Sequence, residues 1–123
     1  MFHAQASALT ALAGATKTLI DTITIPAKAT KIVGIWGYVH EPGMTTLEMS
    51  SGILELESDD VTLNPMQLPL ECVTATTSGA IAYQPRILPC DIPVSGGSRI
   101  RGYGTLDMAL ATAEKARFGL LTE

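Results

Sequence analysis

Residues that could perform acid–base, nucleophilic or metal chemistry are few in this 123-residue chain, and they lie far apart. The two histidines are His3, near the start, and His40, directly before Glu41-Pro42-Gly43. A first-row metal site needs several clustered His, Cys or carboxylate ligands, and His40 has no H-x-H pattern around it. The sequence therefore predicts no metal site and no cofactor.

The two cysteines are candidate nucleophiles. Cys72 follows Glu71 and Cys90 precedes Asp91, but only His40 could act as a general base for either thiol. No G-x-S-x-G motif is present, and nothing singles out a pair of carboxylates for glycoside hydrolysis. We predict no catalytic residues; the opposing hypothesis, an enzyme on a β-barrel, requires a pocket around His40. Two buried free thiols are favoured over a bridge between neighbouring strands.

The only acidic cluster comprises Glu55, Glu57, Asp59 and Asp60. Oxygen-rich turns can bind calcium, and Asp59 and Asp60, with Asn64, would be the ligands here. The spacing does not fit the helix-loop-helix calcium motif, which also needs a central glycine. We interpret the cluster as the solvated face of a strand that runs into a turn.

Composition narrows the classes of partner. Apolar residues make up 46% and charged residues 16% of the chain, against a usual charged fraction of about 25%. This shortage of charge favours a surface partly covered in a homo-oligomer. The net charge is −4 and the basic residues are dispersed, so no direct nucleic-acid binding is predicted. No run approaches the roughly 20 apolar residues of a membrane span.

Alternation of apolar and polar residues dominates the chain and predicts an all-β fold. The phrase T-I-P-A-K-A-T-K-I-V-G-I-W-G at 24–37 is matched by D-I-P-V-S-G-G-S-R-I-R-G-Y-G at 91–104. Proline lacks an N–H for the sheet, so each Ile-Pro ends a strand, and Lys31 and Arg99 begin the next. We predict an antiparallel two-sheet sandwich of about eight strands, or a closed barrel, with these phrases at two corners.

Within this fold some segments are less regular. We expect Met66–Val73 to be an edge strand or an irregular segment because of Pro69. Val61–Leu63 is expected to be a short strand, and Ala80–Leu88 a strand interrupted by Pro85. Residues 1–16 are predicted to be an N-terminal arm, flexible or bound to a partner or forming a short Ala-rich helix, and residues 17–123 the β-sandwich domain. A second, weaker helical pattern covers Asp107–Lys115.

Glycines and aromatic residues alternate inside two strands. Gly34, Gly37, Gly102 and Gly104 are not followed by a helix, so they do not form a phosphate loop. They indicate strand curvature or close approach of the two sheets. Trp36 and Tyr38 share one face of their strand, and a core position for Trp36 is favoured over an exposed binding platform.

The repeated Ile-Pro phrase, the short strands and the terminal A-R-F-G-L-L give a pattern that resembles small single jelly-roll virus capsid or capsid-decoration proteins, over residues 17–123. The resemblance implies a structural protein that self-assembles in the virion of a bacterial or archaeal virus, with other shell proteins as possible partners and the N-terminal arm clasping a neighbour. The alternative is a carbohydrate- or receptor-binding β-domain that recognises a host-surface glycan or receptor and has an exposed Trp36.

Overall fold

A computed structural model describes six stretches of the chain. They are residues 3–12, 16–40, 52–63, 66–74, 86–106 and 115–123, with the backbone alone for residues 40 and 71–74. The described residues form nine β-strands and no helix. The strands are β1 (His3–Ala6), β2 (Thr10–Ala11), β3 (Thr18–Thr24), β4 (Lys31–His40), β5 (Gly52–Glu57), β6 (Met66–Thr74), β7 (Leu88–Pro93), β8 (Arg99–Leu106) and β9 (Lys115–Thr122).

The strands form two sheets that pack as a β-sandwich, as the alternating sequence predicts. Sheet 1 contains β9 paired with β1, β2 and β4, and β4 also pairs with β7. Sheet 2 runs from β3 through β8 to β5. The hydrogen-bonded path β1-β9-β4-β6-β5-β8-β3 joins them. This order does not by itself establish a jelly roll, so that connectivity stays a prediction.

Strand β6 belongs to both sheets. Its first half pairs antiparallel with β5, and its second half, from Glu71, pairs parallel with β4. The sequence predicts an edge strand or an irregular segment here because of Pro69, and the strand continues through Pro69, which lies opposite Ile53, as an edge. This half of β6 is paired on one side only among the described strands, and an unpaired edge is where a strand tolerates proline.

The two Ile-Pro phrases form two corners of the sandwich, as predicted, and these corners contact each other. The amide of Val94 donates to the carbonyl of Thr30 at 3.0 Å, and that of Gly97 to the carbonyl of Ile25 at 2.9 Å. Gly97 has φ = 87°, a conformation that a side chain disfavours. The amide of Ile25 completes the junction by donating to Ser98 at 2.8 Å. The corners are therefore tied by backbone hydrogen bonds, which makes the junction independent of long side chains.

The core lies between the sheets and consists of the inward residues of each strand. In β8, Ile100, Gly102, Gly104 and Leu106 are buried, as the alternation predicts. The ring of Phe118 from sheet 1 lies where a side chain on Gly102 would be. The largest fully buried side chains are Ile25, Ile32, Ile35, Val39, Leu54, Leu56, Leu70, Ile100, Leu106, Phe118 and Leu120.

The N-terminal segment closes one side of the sandwich. Strands β1 and β2 pair with β9, and the residues around them bond to β3: the amide of Ala8 donates to Asp21 at 2.9 Å and the hydroxyl of Thr10 to the carbonyl of Ile20 at 2.7 Å. The helical alternative is wrong for the described residues of this segment, because edge pairing satisfies its backbone. Clasping of a neighbouring subunit stays a prediction.

Three further expectations concern local segments. Val61–Leu63 does not form a strand, although Leu63 is buried in the core. The strand expected at Ala80–Leu88 falls mostly outside the described residues, and the observed β7 begins at Leu88 and runs through Pro89. The helical pattern at Asp107–Lys115 also lies outside them, apart from Lys115, which begins β9.

Candidate functional site

The outward face of sheet 2 is charged and internally paired. The ammonium of Lys17 lies 3.0 Å from Glu55 and 2.7 Å from Glu57, and 4.6 Å from the centre of the Tyr103 ring. Hydrogen bonds to Glu57 and then Glu55 raise the pKa of Lys17. Gln67 donates a further bond to Glu55 at 3.1 Å. These carboxylates are thus occupied by side chains of the same face.

The remaining acids of the predicted calcium cluster are also paired. Arg101 donates to both oxygens of Asp59 at 3.0 and 3.3 Å, and this hydrogen bond lowers the pKa of Asp59. The backbone amide of Arg99 donates to Asp60 at 3.0 Å. The four acids Glu55, Glu57, Asp59 and Asp60 are thus bound by cationic side chains or amides of the same chain, as expected for the solvated face of a strand. Asn64, the remaining candidate calcium ligand, lies outside the described residues.

The outward face of sheet 1 differs, because apolar side chains dominate it. Ile87 is 55% exposed, and its side chain and that of Leu121 lie over Gly34. Trp36 and Tyr38 are half-buried on the same side of β4. We call this surface the apolar face; it comprises Ala4, Ala6, Gly34, Trp36, Tyr38, Ile87, Gly119 and Leu121.

Trp36 occupies the centre of the apolar face. Its indole lies across Gly119, the register partner of Trp36 on β9, and fills the space that a side chain there would need. The rings of Trp36 and Tyr38 are nearly parallel, with an interplanar angle of 10° and centroids 5.9 Å apart. The predicted core position of Trp36 is wrong. The bulged register between Ile32 and Gly34 precedes a stretch in which Ile35, Gly37 and Val39 point inward instead.

Arg117 and Asp91 are charged residues of sheet 1 whose side chains make no ion pair with a described residue. Arg117, opposite Tyr38 in the register, has a buried Nε with no hydrogen-bond partner. Asp91, exposed on β7, makes no hydrogen bond or ion pair with any described residue. Sequence reasoning did not select either residue as functional. Alternation places Arg117 on the outward side of β9, but only the tertiary structure shows that its Nε is buried without a hydrogen-bond partner.

The backbone register places Cys72 of β6 opposite Val39, the neighbour of His40 on β4, whereas Cys90 lies on β7. Cys90 is a free, half-buried thiol that donates to the carbonyl of Ile32 at 3.5 Å, so it forms no disulfide in this structure. Burial, and then the charge of Asp91, raises the pKa of Cys90, which reduces the thiolate fraction. The side chains of Cys72, Glu71 and His40 lie outside the described residues. His3 is exposed on β1.

Two clefts open between described residues of the sandwich. One has a volume of about 110 Å³ and is lined by Gly37, Pro69, Arg86 and Leu88. The other, of about 350 Å³, lies between residues 60–62 and 93–95. Among the described residues, no group of three His, Cys, Asp or Glu side chains is arranged to hold a metal ion.

No protein-family model matches this chain, and neither a curated protein nor a solved structure matches it significantly. The described residues also contain no helix of the length and hydropathy that crossing a bilayer requires. The surfaces of the molecule are therefore the basis for a functional assignment.

Proposed function

We propose that this protein is a structural subunit that assembles with copies of itself, and that it builds or decorates the shell of a virion. The observation that carries the proposal is the apolar face on the outside of sheet 1. The outward side of a sandwich strand is ordinarily polar, because it meets water. The outward side of sheet 2 carries ion pairs, although Leu19 and Ile53 are also exposed there, whereas apolar side chains dominate the outward side of sheet 1.

The composition of the apolar face supports a protein partner. Small residues such as Ala4 and Ala6 lie beside large ones such as Trp36 and Leu121. The resulting surface has ridges and hollows into which the side chains of another sheet can pack. Apolar surface removed from water stabilises an interface by about 25 cal/mol per Å². The low charged fraction of 16% agrees with a surface that is partly covered. The virion setting rests on the resemblance of the strand pattern to small capsid proteins.

Sedimentation velocity and negative-stain microscopy of the purified chain test this proposal. We expect the wild type to form dimers or larger particles and Ile87→Asp to shift the population to monomers, because a buried carboxylate is costly. Leu19→Asp is the matched control, since Leu19 is 45% exposed, against 55% for Ile87, but lies on sheet 2. A wild type that remains monomeric at high concentration would refute the proposal.

A second candidate function, binding of a host-surface glycan or receptor, is supported by the half-buried Trp36 and Tyr38. Two nearly parallel rings at the surface offer the kind of platform on which a sugar ring packs. A glycan array probed with the wild type and Trp36→Ala tests it. Binding by the wild type that Trp36→Ala abolishes would favour this function, and an array without hits would argue against it.

A further inference from the structure

Arg117 and Asp91, which have no ion-pair partner among the described residues, have opposite signs and lie at opposite corners of the apolar face. Arg117 is level with Tyr38 on the β9 side of β4. Asp91 lies on the β7 side, between Pro89, which is level with Gly34, and Ile92. Along β4 they are separated by at least the four residues from Gly34 to Tyr38, or about 13 Å. They therefore cannot pair with each other within one chain.

Both groups point to the side on which a partner of the apolar face would lie. Arg117 alternates with the buried Ala116 and Phe118, so its side chain leaves sheet 1 on the outward side. Asp91 alternates with Cys90 and Ile92, which pack against the core. The buried Nε is covered by atoms of the same chain and is therefore closed to a partner. Arg117 as a whole is only half-buried and makes no ion pair with a described residue, so a carboxylate from outside can bind the terminal NH groups of its guanidinium.

We infer that two copies pack apolar face to apolar face about a two-fold axis, so that Arg117 of each copy binds Asp91 of the other. This inference rests on the proposed function and specifies its first contact. In a two-fold interface, any residue i that contacts residue j is matched by j contacting i, so one pairing is made twice. Arginine binds a carboxylate with two parallel hydrogen bonds, which also orients the two faces.

The rest of the face is compatible with this arrangement. Trp36, Leu121 and Ile87 lie between the two corners and would form the apolar centre of the interface. Interfaces of this kind have aromatic and apolar centres with charged residues towards the rim. In the resulting dimer, sheet 2 of each copy would have its charged face outward. This dimer would be the building unit of a larger assembly.

Charge reversal tests the pairing. Arg117→Glu and Asp91→Arg should each raise the dimer dissociation constant at least about tenfold, because each places like charges opposite one another at both corners. The double variant should return it to within a few-fold of the wild type. Lys28→Glu is the control, since Lys28 is exposed on a corner away from the face and should leave the constant unchanged. Urea midpoints, measured below the dissociation constant, confirm that each variant is folded.

The outcomes separate the inference from the proposal beneath it. Dimers that form equally well in all four proteins would overturn the Arg117–Asp91 pairing and leave self-assembly standing. A double variant that is no better than either single variant would also overturn it. A wild type that stays monomeric would overturn both, as would a monomer that binds an acidic saccharide through Arg117.

Discussion

The indole of Trp36 lies directly over Gly119, its register partner on β9. Glycine at this position is the reason that the largest side chain of the protein can lie against the outside of sheet 1 and leave only part of its surface in water. The pair also determines how far the apolar face protrudes at Trp36, because a side chain on Gly119 would push the indole ring away from the sheet.

Gly119→Ala should displace Trp36 without unfolding the domain. The added methyl group would overlap the indole, and over-packing of this kind costs about 1–3 kcal/mol. We expect the fluorescence maximum to move to longer wavelength, acrylamide quenching to increase and the free energy of unfolding to fall. Gly97→Ala is the control: it strains a positive φ but meets no atom within 4 Å, so the emission should stay as in the wild type. Unchanged emission in Gly119→Ala would contradict the packing.

Gly102→Ala should be more destabilising than its size suggests, because the space beside Gly102 is filled by the ring of Phe118. We expect a loss of about 1–3 kcal/mol in the free energy of unfolding, measured in urea. Phe118→Leu, which shortens the opposing side chain, should remove part of that loss in the double variant. A coupling of about 1 kcal/mol or more is expected for residues in contact; additive losses would show that the two do not touch.

Ser7→Ala should reveal how strongly the N-terminal segment is held. The hydroxyl of Ser7 is buried, donates to the carbonyl of Ala8 at 2.9 Å and accepts from the amide of Phe118 at 3.1 Å. Its removal leaves that amide without its partner, at a cost of about 1–3 kcal/mol. Thr62→Ala, at an exposed position, is the control and should change the urea midpoint little. Equal midpoints for both variants would mean that the segment does not close the sandwich.

The Arg101–Asp59 ion pair should make a small, pH-dependent contribution to stability. Arg101 holds the pKa of Asp59 below its ordinary 3.8. The contribution is therefore present in full above that value and is lost as the pH falls through the folded pKa. Asp59→Asn should lower the urea midpoint slightly at pH 7, with a difference that shrinks in acid and in added NaCl, since the Asp59 side chain is 81% exposed. A difference that persists at the lowest pH would point to another cause.

Much of the fold follows from local rules that act within a few residues. The alternation in Arg99–Leu110 predicts which side of this strand is buried, because successive side chains of a strand point to opposite faces, and β8 has that side inward over Arg99–Leu106. The Ile-Pro phrases predict where β3 and β7 end, because proline cannot donate to the ladder. Trp36 and Tyr38 share a face because they are two residues apart in one strand.

The sequence around β4 does not determine which of the two faces of that strand is buried, and the prediction made from it was wrong. Trp36 reads as a core residue because it is large and apolar, and its neighbours Gly34 and Gly37 leave the inward side undecided. The choice depends on β9, more than 75 residues further along, where Gly119 makes room for the indole outside and Phe118 fills the core inside. No window of the sequence around Trp36 contains that information.

The sequence by itself determined the alternation of buried and exposed residues, the ends of β3 and β7, the two corners of the sandwich and the low fraction of charged residues. Each of these depends on the chemistry of residues that are adjacent in the chain. Only the tertiary structure decided that β6 passes through Pro69 from one sheet to the other and that residues 3–12 close the opposite side. It also decided that Arg117 and Asp91 lie beside an apolar surface without an ion-pair partner among the described residues. These features arise from pairings between distant strands, and the free energy of such contacts depends on the register that the whole sandwich adopts.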